Sequence, residues 1–213
     1  MIATKRRRLL LRRILLVTAA VLAAAGVLAA GLWWYIGVHQ PRKRVDALRE
    51  VTLPDYVTED LILSQGTARS GEALADFGGI VIHYVGNPGS TAKNNRDYFA
   101  TAGTEVVSHF VVGLRGEIIQ CLPLWERSVA SNHRNRDTIS IEVCHPDDSG
   151  EFTPATYAAV VRLTAWLCQT GDLSVDRVIR HYDITGKECP RYYVRNQAAW
   201  EQFLADVQNQ IRP

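Results

Sequence analysis

The stretch RHYDITGKECP, Arg180 to Pro190, sets His181 and Cys189 eight residues apart with Lys187 between them. Imidazole nitrogen and thiolate sulfur are both good zinc donors. Eight residues are too many for a tight chelating turn, so this loop must fold back to bring both donors to one ion. A third donor must come from elsewhere. His83, in GGIVIHYVGNPG, is the best candidate, because it stands at the end of an apolar run that can hand it to the mouth of a site. Two histidines and a cysteine leave one tetrahedral position open, the pattern of a catalytic rather than a closed structural zinc site. A histidine met singly is usually a hydrogen-bonded core or surface group, and a cysteine met singly a small buried apolar one. The three residues together, not any one of them, point to zinc.

Hydrolysis at such a site also needs a general base. Glu142 is the candidate. It is a lone acid in TISIEVC, an otherwise apolar run, where a carboxylate is costly to bury unless it is paired or functional. Strand alternation puts it on one face with Ser140 and Cys144, opposite Ile139, Ile141 and Val143. Pairing with an arginine or lysine is the plainer alternative. Lys187 reads either as a solvated loop residue or as a cation facing substrate. His109, inside an apolar run, reads as a structural histidine. His133 falls in a loop that can rim a groove, and His145, after Cys144, can line it. Asn87, Asn94 and Asn95 are surface polar groups near the His83 segment.

The elements that must position these residues follow from pattern. Residues 79–84 form a buried strand bounded by glycine. Thr91 caps a helix to about residue 101, with Tyr98 and Phe99 turned to the core. Residues 106–113 are a central strand, LRGE a hairpin turn, and EIIQCL the returning strand. PLWERSVASNHRNRD is the rim loop, and residues 138–144 are another buried strand. Thr153 and Pro154 start a helix to about Gln169, with Gly171 at its end. A short helix over 174–179 delivers His181. A last helix over 196–210 buries Trp200, Phe203, Leu204, Val207 and Ile211 at the spacing of one stripe. Another short helix is expected near residues 72–77. Strands interspersed with helices predict an α/β fold on one mixed sheet.

Charge is uneven. Residues 1–50 carry ten Lys/Arg against two Asp/Glu, whereas residues 51–213 carry fourteen against twenty. A nucleic-acid partner would want the basic face on the folded domain, so that class is excluded. The basic excess flanks an uncharged run of 23 residues, Ile14 to Ile36. A helix of that length crosses a hydrocarbon core of about 30 Å. Trp33, Trp34 and Tyr35 suit the headgroup layer, and the larger basic cluster places residues 1–13 in the cytoplasm. The reading is a single transmembrane anchor over 14–36, a membrane-proximal linker or short helix over 37–55 and an extracytoplasmic domain over 56–213. A cleaved signal peptide is the competing reading, and either exports the domain. The four cysteines, at 121, 144, 168 and 189, make no CxxC pair. Cys121 and Cys144 read as buried thiols, with a disulfide between them as the alternative. No strong small-residue dimer motif marks the anchor, so a monomer is expected.

Four blocks in order, IVIHYVGNPGSTAKNNRDYF, SHFVVGLRGEIIQCLP, NRDTISIEVCHP and VIRHYDITGKECP, resemble the zinc-dependent N-acetylmuramoyl-L-alanine amidases, which share a fold with phage lysozyme-type amidases and peptidoglycan recognition proteins. The resemblance implies a mixed sheet flanked by helices, Zn2+ held by His83, His181 and Cys189, and hydrolysis of the bond between N-acetylmuramic acid and L-alanine in peptidoglycan. One branch of the family uses a Glu at the place of Glu142 as catalytic acid/base. The phage branch has a small residue there and a catalytic Tyr at a place that aligns with Ser108, so this chain departs from the phage pattern. Lys187 matches the phage-type lysine, which implies oxyanion stabilisation or substrate holding. Relatives of this fold that lack the cysteine bind peptidoglycan without cutting it, and a zinc peptidase of another wall-peptide bond is the third reading.

Overall fold

The computed structural model describes residues 2–64 and 67–211. The chain divides into two compact units, Met1–Lys43 and Arg44–Pro213. The first is dominated by α1, Ile2–Trp34, a helix long and apolar enough to cross a membrane by length and composition. Its apolar side chains lie open, with Leu16 71% and Trp33 72% exposed. A π-helical turn, Tyr35–His39, leads to α2, Gln40–Ala47.

The second unit is built on a six-stranded sheet in the order β1-β4-β3-β5-β2-β6. The strands are β1 (Val57–Glu59), β2 (Gly79–Tyr84), β3 (Phe110–Val112), β4 (Ile118–Gln120), β5 (Thr138–Val143) and β6 (Val178–Arg180). The β3–β4 pair is antiparallel and every other pairing is parallel, so the sheet is mixed, as the sequence predicts. One face carries Ile80, Ile82, Ile139, Ile141 and Val143. They pack in the main core with α4 (Pro154–Gly171) and α7 (Gln197–Ile211). The other face carries Val111, Ile119 and Cys121 against Ala92 and Phe99 of α3 (Ala92–Phe99).

Local chemistry explains the helix starts. Thr91 and Asn94 form a reciprocal capping box at α3. Thr153 accepts the Thr156 N–H, with Pro154 in the first turn of α4. Asp172, with φ of 49°, provides the left-handed cap of α4, one residue beyond the expected glycine. Val45 within α2 and Leu48 just after it, at 4% exposure each, belong to the main core.

Several expectations fail for identifiable reasons. Residues 72–77 are not helical. Ala73 bridges Glu126, and the N–H groups of Leu74 and Ala75 donate to the Trp125 and Arg136 carbonyls, so tertiary partners replace helical ones. Within residues 174–179, one 3-10 turn, Val175–Arg177, gives way to β6, where pairing with β2 overrides the short helical pattern. Residues 106–113 bend: Val107 pairs with Val129, and the ladder begins only at Phe110. Phe99 is buried, but Tyr98 is 57% exposed. All four cysteines are free and buried.

Candidate metal centre

His83 sits one residue before the end of β2, and Glu142 one before the end of β5. The two are register partners across the parallel ladder, so both project to the same face at the carboxyl edge of the sheet. Openings at the carboxyl ends of strands are where α/β sheets bind ligands. β6 pairs with β2 on its other side and ends at Arg180, which places His181 beside His83. Their ring centroids are 4.6 Å apart. Two short helices, α5 (Tyr182–Thr185) and α6 (Arg191–Arg195), bracket the loop that folds back with Cys189. The Tyr182 N–H donates to the Cys189 carbonyl at 2.9 Å, which closes that loop.

One ligating atom from each of His83, His181 and Cys189 lies within 4.8 Å of the others, and all three residues are buried. The Cys189 sulfur is 3.9 Å from His83 Nδ1, and so is Glu142 Oε1. Zinc bonds of about 2.0–2.3 Å set tetrahedral donors roughly 3.5 Å apart, so only small adjustments separate this set from a zinc shell. Burial, then the charges of His181 and Lys187, holds the His83 pKa well below the usual histidine range. Burial and Lys187 also lower that of His181. Both rings are therefore neutral and keep a lone pair for a cation. Burial pushes the Cys189 thiol up to about 12, with the Glu142 charge adding to the effect. A thiolate at this position calls for a cation beside it. Burial likewise raises Glu142 to about 8, partly opposed by Lys187. Its Oε2 is enclosed without a hydrogen-bond partner. No arginine or lysine pairs with it, so the plainer reading of this acid does not hold among the described residues.

These groups line a cavity of about 230 Å3 with Asn95, Tyr98, Ser108 and Lys187. A larger one, about 630 Å3, lies among Pro146, Phe152, Tyr157 and Tyr192 and holds no comparable donor set. Lys187 is exposed at the rim of the smaller cavity. His109 is structural, as expected: Nε2 donates to the Glu126 carbonyl and Nδ1 accepts the Ser140 N–H. His145 does not line the donor cavity. Its two ring nitrogens face the Val85 and Asp147 carbonyls. His133 lies exposed in a 3-10 turn of the rim loop. Asn94 is spent on the α3 cap, while Asn95 hydrogen-bonds Ser90 Oγ and reaches the cavity.

Two residues that sequence reasoning passed over touch the two clustered histidines. Ser131 Oγ lies 3.0 Å from His83 Nε2, and Asn132 Oδ1 lies 2.9 Å from His181 Nε2. The available signal was weak: an adjacent Ser-Asn in a rim loop, with Asn tolerant of the left-handed backbone it adopts here.

The profile of the N-acetylmuramoyl-L-alanine amidase family matches residues 75–192. The chain belongs to this family. Every donor, Glu142 and Lys187 fall inside the matched segment of the amidase fold. The chain is 33% identical over 157 residues to a probable N-acetylmuramoyl-L-alanine amidase of Bacillus licheniformis, covering 65% of this chain and 43% of that protein. It is 30% identical over 168 residues to the amidase CwlL of the same species, covering 71% and 46%. The chain thus spans less than half the length of these curated relatives. The structure of the catalytic domain of XlyA superposes with a TM-score of 0.62 at 29% identity, covering 71% of this chain and 98% of that one.

Proposed function

We propose that this amidase-family chain is a zinc-dependent hydrolase of peptidoglycan that cleaves the amide between the lactyl group of N-acetylmuramic acid and L-alanine of the stem peptide. The observation that carries the reading is the meeting of His83, His181 and Cys189 with an orphaned carboxyl, Glu142, in one cavity. The first three hold the zinc. When bound, zinc supplies a Lewis acid and lowers the pKa of water to near 7. Glu142 accepts the proton of the attacking water on Oε1 and returns it to the departing amine of L-alanine. Its Oε1 lies 3.9 Å from His83 Nδ1, beside the donor set, close enough to serve both halves of that exchange. Lys187, at the cavity rim, sets its positive charge beside the carbonyl oxygen as that oxygen gains charge.

The helix α1 anchors the chain in the bacterial membrane as a single pass, with residues 1–13 cytoplasmic and the domain from Arg44 outside. The unburied apolar surface of α1 supports this reading, as does the basic excess on its N-terminal side. Anchoring restricts a monomeric hydrolase to wall polymer within reach of the membrane. The test is product analysis on purified peptidoglycan with the full chain in detergent. New N-terminal L-alanine on released stem peptides, lost with chelator and restored by zinc, is expected. Wall binding with no new amine under any metal condition would instead make it a receptor. New amines on another residue would keep the metal centre and change the bond.

A further inference from the structure

One histidine lies in β2 and the other directly follows β6, but a single loop holds the far side of both rings. Ser131 reaches His83 Nε2 and Asn132 reaches His181 Nε2, each within 3.0 Å. A neutral imidazole carries one N–H, and the nitrogen without it is the one free to ligate. An amide oxygen only accepts, so Asn132 Oδ1 requires the proton of His181 on Nε2 and leaves Nδ1 bare. The same assignment suits His83. Its Nδ1 faces the Cys189 sulfur and Glu142, while Nε2 faces the fully buried Ser131 hydroxyl.

The loop is built to hold this position. Asn135 Oδ1 accepts the N–H groups of both Ala130 and Ser131, and the Arg134 N–H donates to the Ser131 carbonyl. Val129 and Val107 exchange both backbone hydrogen bonds at its start. Asn132 itself stands at φ of 53°, in the left-handed region that non-glycine residues adopt at a cost. That backbone turn lets two consecutive residues address two rings 4.6 Å apart.

We propose that Asn132 fixes His181 in the Nε2–H form, that Ser131 holds the His83 ring with Nδ1 toward the donor set, and that these two positioning residues thereby set the affinity of the metal centre. This rests on the zinc reading above. Outer partners of metal-bound histidines are worth about 10- to 100-fold in affinity.

The experiment uses the full chain in detergent with Ser131→Ala, Asn132→Gly and Asn132→Asp. Glycine keeps the left-handed backbone and removes only the acceptor, while aspartate restores an acceptor oxygen. Zinc affinity is read by competition with a chromophoric chelator. Ring tautomers are read in the metal-free protein by long-range proton–nitrogen NMR. Ser131→Ala and Asn132→Gly are each expected to weaken zinc binding by about 10- to 100-fold, with Asn132→Asp within about 3-fold of wild type. His181 is expected to lose its single Nε2–H form in Asn132→Gly and regain it in Asn132→Asp. Wild-type affinity in both Ser131→Ala and Asn132→Gly, with unchanged tautomers, would overturn the proposal while leaving the zinc centre standing. So would an Asn132→Asp as weak as Asn132→Gly. A wild-type chain that binds no zinc would remove the zinc reading and this proposal together.

Discussion

Replacing Glu142 with glutamine should make the protein more stable and nearly inactive. The two side chains have almost the same volume, and the buried Oε2 position lacks a partner in either case. What differs is the proton. Burial holds the Glu142 carboxyl at about 8 against 4.5 for a free one. In the metal-free chain at pH 7 the unfolded state has released this proton and the folded state keeps it. A pKa unit corresponds to 1.36 kcal/mol, so the folded state carries a penalty of about 3 kcal/mol at that pH. The side chain is 19% exposed, which softens this to about 2 kcal/mol. The sign fixes a pH window. Below pH 4.5 both states are protonated and the penalty is absent. It grows as pH rises toward 8, so wild type loses stability across that range and Glu142→Gln does not. Urea unfolding in chelator at pH 5 and pH 7.5 measures the difference, and hydrolysis of peptidoglycan with zinc measures the function. Turnover should fall by about 10^2- to 10^4-fold. If the variant is no more stable than wild type at pH 7.5, Glu142 is not an unpaired buried acid. If it keeps full turnover, Glu142 is not the base.

Cys189→Ser exchanges a soft thiolate donor for a weak hydroxyl, and zinc affinity should drop on the order of 100-fold or more in a chelator competition. Leu48→Ala opens a hole in the main core and should cost about 2–5 kcal/mol by urea unfolding, a loss not expected of a residue in a free linker. His109 is held neutral at about 4 by burial. Between pH 6.5 and 4 the unfolded chain takes up a proton that the folded chain refuses, so this group removes about 2 kcal/mol of stability by pH 5. In zinc-loaded protein, where the ligand histidines are already committed, His109→Gln should flatten that acid slope.

The His83–His181–Cys189 cluster and Glu142 beside it were legible because regular structure presents them. His83 and Glu142 lie in apolar runs whose alternation fixes the face of each side chain, and the parallel pairing of β2 with β5 makes them neighbours. His181 and Cys189 are close in the chain, so even an incorrect account of residues 174–179 left them in one place. Sequence reasoning failed where partners are distant and the local pattern is silent. β6 is three residues long and exists as a strand because β2 offers an open edge. Val45 and Leu48 sit in a polar stretch that gives no sign of the core they enter. Ser131 and Asn132 gain meaning only from two rings that arrive from elsewhere in the chain. A metal centre is therefore half visible in a sequence. The atoms that bind the ion must be particular residue types, and they stand out. Those that aim the ligands need only a donor or acceptor at the right point, which many residues can supply.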